Sequence, residues 1–434
     1  MWINNNPLVR FDNLLTLAKG RIPGQLIIQY TDRCNAQCPQ CGMRVTETFE
    51  RTKLAPDDIK RIIAAAATGG VKSLSFTGGE TFLYYDELIS LISYAGEAGI
   101  EFIRTGTNGF LFMNSDKPDF VKRITSLAEA MAKTKLRNFW ISVDSSDPSI
   151  HEQMRGLPGV ISGIRAALPI FHAHGIYPSA NLGINRNTGG KMEVTSQLAE
   201  IDPERYYATF KQAFIKFYTF VEELGFTMVN ACYPMSIDVQ EAGELSAVYA
   251  AASAEDIVSF SAAEKVLIFQ ALSDTIPLFR HKMKIFTPRV SLYALIRQYR
   301  NEPTFSHSCH GGIDFFFISA RDGNTYPCGY RGNESLGKFW DLQSQSLQSQ
   351  NLQSQKLDQK PFCQECDWEC FRDPSLLIGN FIDLLRHPVS FARKAIKEPA
   401  YLKLWLEDLK YYQACDYYDG RQAPDYQKLK SFYR

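Results

Sequence analysis

Residues 25–41 read QLIIQYTDRCNAQCPQC. The first six residues form a short apolar run flanked by glutamines, the pattern of a strand. Cys34, Cys38 and Cys41 follow at once in a C-x3-C-x2-C spacing. Three thiolates on one short loop fill three corners of a metal site and leave the fourth open. A structural zinc site normally closes with four protein ligands. In an iron–sulfur cluster, an open iron is free to take a substrate or cosubstrate.

Outward from that loop the first half of the chain alternates strand and helix. Pro56–Ala67 reads as a helix, with proline at its start, acids in its first turn and Gly69-Gly70 beyond its end. Strands are expected at Lys72–Thr77, Glu101–Thr107, Asn138–Asp144 and Tyr177–Ile184, with helices at Tyr85–Ala98, Asp119–Lys133 and Gly159–Gly175. This rhythm implies a parallel sheet with right-handed crossovers. Four or five such units suggest a barrel or partial barrel, with its chemistry on loops at the C-terminal strand ends. The rhythm then changes. Pro203–Leu224 reads as a long helix, Phe226–Ala231 as a strand, and Ala242–Arg300 as mostly helical. Asp314–Ile318 reads as a short strand before an Asp322-Gly323 turn. Residues 342–357, LQSQSLQSQNLQSQKL, repeat leucine every fifth position, which is neither a helical nor a strand period, and read as a low-complexity linker. The tail from Pro374 is helical and rich in tyrosine, and its aromatic patch reads as packing.

Composition excludes several classes. The 47 basic and 47 acidic side chains cancel, which argues against a bulk electrostatic grip on nucleic acid or anionic lipid. No apolar run approaches the ~18–20 residues of a membrane span. The start, MWINNNPLVRFD, lacks a basic segment followed by an apolar one, so no secretory signal and a cytoplasmic location are expected. Ten cysteines in such a compartment point to metal rather than disulfides.

Further motifs occupy the other strand ends. Thr77-Gly78-Gly79-Glu80 ends the second strand, and Thr107-Asn108-Gly109 the third. On the fourth, Ser142 and Asp144 are two apart and share one face. His151-Glu152-Gln153-Met154-Arg155-Gly156 follows. Taken in this order, these segments resemble the radical S-adenosylmethionine (radical SAM) superfamily. The resemblance implies a partial (β/α)6 TIM-like barrel and a [4Fe–4S] cluster on Cys34, Cys38 and Cys41. It implies that Gly78, Gly79 and Glu80 hold the SAM amine, with Thr81 standing where the family usually has proline. Asn108, Ser142, Asp144 and Arg155 are further SAM-binding candidates, with Ser142 and Arg155 nearest in role to the carboxylate. His151 reads as structural.

A second group of cysteines lies in the last third. Cys309, then Gly323-Asn-Thr-Tyr-Pro-Cys328, then Cys363-x2-Cys366-x3-Cys370 resemble the SPASM and twitch cluster domains of the same superfamily. The count fits one auxiliary [4Fe–4S] cluster. Cys309, Cys328, Cys363 and Cys366 match the twitch pattern best, with Cys370 or Cys415 as alternates; a structural zinc from the same thiolates is also chemically sensible. Cys232 reads as a buried thiol. Tyr326 and Tyr330 flank Cys328 and read as packing.

The expected division is 1–24 as an N-terminal extension, 25–235 as barrel core, 236–305 as a substrate-facing helical segment, 306–373 as the auxiliary cluster domain, and 374–434 as a helical tail. The implied activity is reductive cleavage of SAM to a 5′-deoxyadenosyl radical that takes hydrogen from a substrate. A low-potential donor such as flavodoxin or ferredoxin is the expected electron source. Only about 24 residues precede the first strand, too few for the small peptide-recognition domain of many peptide maturases, which favours a small-molecule substrate. The alternatives are a ribosomal-peptide maturase served by a separate recognition protein, and a non-catalytic iron–sulfur or zinc interaction protein.

Overall fold

The computed structural model describes residues 11–41, 50–192, 194–234, 256–303, 307–342 and 367–433. Nine strands make one sheet: β1 Gly24–Thr31, β2 Val71–Gly78, β3 Phe102–Thr107, β4 Leu136–Ser142, β5 Ser179–Gly183, β6 Met228–Cys232, β7 Lys284–Ile285, β8 Phe315–Ile318 and β9 Thr325–Tyr326. Their order is β7-β6-β5-β4-β3-β2-β1-β8-β9. Every pair from β7 to β8 is parallel, and only β9 runs antiparallel, on β8.

Consecutive strands are spatial neighbours, and each of the first six gaps carries a helix: Pro56–Thr68, Tyr85–Glu97, Phe120–Ala132, Val160–Ala173, Pro203–Leu224 and Ala262–Phe279. A doubly wound sheet would reverse direction at a switch point. This one winds one way, as a partial barrel does. The expected strands and helices are present with small shifts at their ends. Asp144 lies two residues past β4, and Cys232 is the last residue of β6. The linker at 342–357 lies outside the described residues, apart from Leu342.

Side-chain alternation explains the layers. Leu26, Ile28, Tyr30, Leu74, Phe76, Ile103, Phe139, Ile141, Leu182 and Val229 are all buried in the core, on the face that the helices cover. The register aligns the opposite face: Ile27 with Ser75, Ser75 with Arg104, Arg104 with Asn138, Ser142 with Asn181, and Asn181 with Asn230. A parallel sheet buried on both sides normally reads as continuous apolar runs. Here the inner face is mostly polar.

β8 adds to β1 in register from Gln25↔Phe315 to Ile28↔Ile318. The sheet therefore runs on past residue 306, where the sequence suggests a new domain. The C-terminal helices cover the other edge. The hydroxyls of Tyr412 and Tyr418 donate to the carbonyls of Phe286 (3.2 Å) and Ile285 (2.7 Å), and Tyr411 accepts the Ile285 N–H at 2.9 Å. The tyrosine-rich tail is thus a packing surface that satisfies the backbone around β7.

Candidate functional site

The Cys34–Cys41 loop leaves the C-terminal end of β1, and the ends of β2, β3 and β4 converge on it. The β2 end approaches closest. The Gly79 N–H donates to the Thr31 carbonyl (2.7 Å) and the Glu80 N–H to the Arg33 carbonyl (2.8 Å). A Cβ on Gly78 would overlap the Thr31 carbonyl, and one on Gly79 the Arg33 carbonyl. Both glycines are therefore required by the cysteine loop itself, whatever ligand also lies there. Gly79→Ala is expected to destabilise the protein by about 1–3 kcal/mol through overpacking and to lower iron loading of this loop. Urea unfolding together with iron analysis checks both.

Glu80 is fully buried, and its carboxylate is already engaged. One oxygen accepts the Phe82 N–H (3.0 Å) and the other the Asn108 N–H (2.6 Å). Glu80 thus braces the end of β2 to the end of β3. Burial pushes its carboxyl up to about 7, against the pull of those two N–H donors. Thr81 extends the brace by donating to the Gly106 carbonyl at 3.2 Å. Proline there would lack this bond. Asn108 faces the cysteine loop: its side-chain amide donates to Asn35 Oδ1 (2.8 Å) and lies 3.7 Å from Cys34 Sγ.

The fourth strand contributes a buried ion pair. Arg155 Nε lies 2.7 Å from Asp144 Oδ2, and the same oxygen accepts from Gln40 Nε2 at 2.6 Å. Gln40 sits between Cys38 and Cys41, so Asp144 ties the cysteine loop to the barrel. The Arg155 carbonyl accepts the Gln37 N–H at 3.0 Å, a second tie. The Pro148–Arg155 helix ends on Gly156 in the left-handed region (φ 67°), which turns the chain away from the site. His151 is structural, as expected. Its Nδ1 accepts the Asp144 N–H at 3.1 Å, and burial lowers its pKa to about 4, so it stays neutral. Asn185 was not legible in the motifs; its amide donates to the carbonyls of Asp144 (2.9 Å) and Gly183 (2.7 Å). Gln37 and Gln40 were missed as well, because glutamine inside a cysteine loop carries no spacing signal. Ser142 lies on the inner face, paired in register with Asn181, one pleat deeper than Asp144.

Burial raises the Cys34 thiol and pushes the Cys38 thiol up to about 12, with Arg155 pulling both back. Thiolates in so dry a place call for a cation. Gln40 Oε1 is buried without a hydrogen-bond partner among the described residues. An orphaned acceptor beside three cysteines is suited to an ammonium or hydroxyl donor. Among the described residues no group of three or more His, Cys, Asp or Glu side chains is gathered as a metal-ion site, so it is the residue types of the loop, not a preformed cage, that suit a thiolate-held cluster with a polar ligand beside it.

The second cysteine group is only partly within the described residues, since Cys363 and Cys366 lie outside them. Cys309 and Cys328 come together because Gly311 and Gly312 let residues 309–312 lie against Pro327. The Gly311 N–H donates to Cys309 Sγ at 3.3 Å. Both cysteines pack in one apolar cluster with Phe315, Tyr330, Trp368 and Phe371, and Cys370 packs against the same cluster. The Cys370 thiol nevertheless points elsewhere. It donates to Glu369 Oε1 at 3.7 Å, and its charged neighbours include Glu369, Arg104 and Asp373. Tyr326 donates to Asp322 (2.7 Å) and Tyr330 packs on Trp368, so neither stands apart from ordinary packing. Cys415 is buried beneath Tyr411, in the main core. Cys232 is not simple filler: it lies on the inner face of β6, 3.4 Å from Asn181 Oδ1.

The model of the radical SAM superfamily matches residues 28–199. Those residues carry the sequence pattern of a radical SAM domain. They include the cysteine loop, Gly78–Glu80, Asn108, Ser142, Asp144 and Arg155. Among curated proteins, GTP 3',8-cyclase of Vibrio parahaemolyticus is 30% identical over 151 residues, covering 33% of this chain and 42% of that protein. The chain thus spans less than half the length of that relative. AdoMet-dependent heme synthase of Methanosarcina barkeri is 21% identical over 315 residues, covering 72% of this chain and 79% of that protein. Among solved structures, native anSMEcpe with bound AdoMet and Cp18Cys peptide aligns with a TM-score of 0.50 at 15% identity. That match covers 88% of this chain and 99% of the other, so the likeness in fold extends past the radical SAM domain into the cysteine-bearing C-terminal part. Streptococcus suis SuiB bound to S-adenosylmethionine aligns at a TM-score of 0.49 and 17% identity, over 76% and 67% of the two chains. No helix among the described residues is long and apolar enough to cross a membrane.

Proposed function

We propose that this chain is a radical SAM enzyme that cleaves S-adenosylmethionine reductively and removes a hydrogen atom from a peptide substrate. The observation that carries the first part is the convergence of Cys34, Asn108, Asp144, Arg155 and the orphaned Gln40 Oε1 at one end of the barrel. Cys34, Cys38 and Cys41 would hold a [4Fe–4S] cluster, which when bound supplies the electron that turns SAM into methionine and a 5′-deoxyadenosyl radical. Gly78 and Gly79 bring backbone polar groups to the site. Glu80 holds β2 and β3 together around it, and Arg155, paired with Asp144, and Ser142 would bind the SAM carboxylate. Cys309, Cys328, Cys363 and Cys366, with Cys370 as alternate, would hold one auxiliary cluster, and flavodoxin or ferredoxin is the fitting class of electron donor.

For the substrate, a peptide is better supported than the small molecule favoured on the length before β1. The anSMEcpe structure that this fold covers almost completely was solved with a peptide bound. A small molecule stays as the second reading because the heme synthase relative is covered over 79% of its length. Anaerobically reconstituted protein given SAM and dithionite is expected to release 5′-deoxyadenosine; no release from cluster-loaded protein sinks the enzyme reading. A short precursor gene beside this one, and deuterium passing from its labelled peptide into 5′-deoxyadenosine, are expected for the peptide reading. Deuterium transfer only from a small molecule would overturn it.

A further inference from the structure

The inner face of the barrel carries polar groups that the SAM site does not use. Arg104 on β3 lies four residues before Asn108, roughly 13 Å deeper along the strand. Its Nε donates to Ser75 Oγ at 2.9 Å, and no carboxylate among the described residues lies at salt-bridge distance from it. Asn138 is its register partner on β4. Asn138 Nδ2 is buried with no hydrogen-bond partner among the described residues, while its Oδ1 accepts from Ser179 Oγ at 3.4 Å. From the other side the first turn of the Glu369–Arg386 helix enters the barrel. Glu369 is 7% exposed, and its Oε2 is likewise buried and unpartnered. Arg104 of β3 has Cys370 and Glu369 as charged neighbours, and Cys232 of β6 has the same two. Above this layer Trp140 lies against Gly106, where any Cβ would overlap the indole, so the ring forms a half-buried ledge beneath the SAM layer.

Buried polar atoms are rarely left without partners. Here Arg104, whose guanidinium makes one side-chain hydrogen bond through Nε, and Asn138 Nδ2, which makes none among the described residues, lie side by side in register, while Glu369 Oε2 lacks a partner among those residues although the Cys232 and Cys370 thiols approach its carboxyl. A free carboxylate would meet Arg104 but bring a second negative charge against Glu369. An ammonium would meet Glu369 but face Arg104. A neutral group that accepts on one side and donates on the other matches both sides at once, and an amide does so from two separate atoms, where a hydroxyl must do both from one.

We propose that the barrel interior beneath Trp140 is a substrate subsite that takes an amide group, with Arg104, Asn138 and Glu369 determining that specificity. This rests on the radical SAM reading above and deepens its peptide branch. The carbonyl would accept from Arg104 and Asn138, and the N–H would donate to Glu369. The amide is either an Asn or Gln side chain or a peptide bond of the substrate.

The test uses the reconstituted holoprotein with SAM and four probes sharing one isobutyl body: isovaleramide, N-methylisovaleramide, isovalerate and isoamylamine. Saturation-transfer NMR at millimolar probe ranks their binding. The amides are expected to bind above the acid and the amine. Preference for the primary amide indicates a side-chain source, and preference for the N-methyl amide indicates a backbone source. Arg104→Met is expected to weaken amide binding about tenfold, the loss of one charged hydrogen bond, and Arg104→Lys to restore part of it. Asn138→Asp keeps the acceptor used by Ser179 but replaces the donor with a charge, so it is expected to move the preference to isoamylamine. Equal binding of all four probes, or an unchanged ranking in folded, iron-loaded Arg104→Met and Asn138→Asp proteins, overturns the subsite. SAM cleavage by the unmodified protein is read separately, so failure of the radical reading is distinguishable from failure of the subsite.

Discussion

Replacing Cys34, Cys38 and Cys41 together by alanine is expected to abolish SAM cleavage and remove about half of the bound iron. With two [4Fe–4S] clusters the fully loaded protein would hold about eight irons per chain, and the variant about four. The fold should survive. The loop is fixed to the barrel by bonds that do not use sulfur: Gly79 and Glu80 on the carbonyls of Thr31 and Arg33, Gln40 on Asp144, and Gln37 on the Arg155 carbonyl. Circular dichroism, iron and sulfide analysis, and detection of 5′-deoxyadenosine separate these outcomes. Retained cleavage would refute the assignment of the radical site. Complete loss of iron would show that the C-terminal cysteines do not hold a cluster by themselves.

The second large effect is expected at Asp144. Its carboxylate lies 2.7 Å from Arg155, and both side chains are nearly buried. Asp144→Ala would leave the guanidinium buried without its partner, which typically costs about 3–5 kcal/mol. It would also free Gln40, so iron loading at the cysteine loop should fall along with stability. The double variant Asp144→Ala/Arg155→Met removes the stranded charge and is expected to recover part of the stability but not the iron loading. Urea midpoints and cluster absorbance measure the two effects independently. A shift below about 1 kcal/mol in the single variant would mean that Arg155 finds water or another anion when Asp144 is lost.

Much of the barrel was legible because its signals are local. The apolar spacing of Pro56–Thr68 and the run Gln25–Tyr30 need no distant partner to be read. The cysteine loop was legible for the same reason, since its three cysteines fall within eight residues. Spacing was less informative at Glu80. An acid after two glycines suggested a ligand contact, and spacing did not show that its two oxygens also hold the backbone of Phe82 and Asn108. The C-terminal part was least legible. Phe315–Ile318 read as a strand of a separate domain, but it hydrogen-bonds beside β1 and continues the barrel sheet. Strand order depends on which edge is free once β2 has paired, and short-range pattern does not encode that.

By itself, then, the sequence determined the chemistry class: an open three-cysteine loop followed, strand by strand, by Gly78–Glu80, Asn108, and Ser142 with Asp144. Those features are set by spacing along the chain, which folding does not alter. Only the tertiary structure decided what surrounds them. It set Gln40 and Arg155 on one carboxylate and turned Cys232 inward. It also brought Glu369 from the C-terminal helix toward Arg104. Such contacts join residues on different strands, helices and loops, and their meaning lies in desolvation and in unfilled hydrogen bonds, which exist only once the barrel has closed around them.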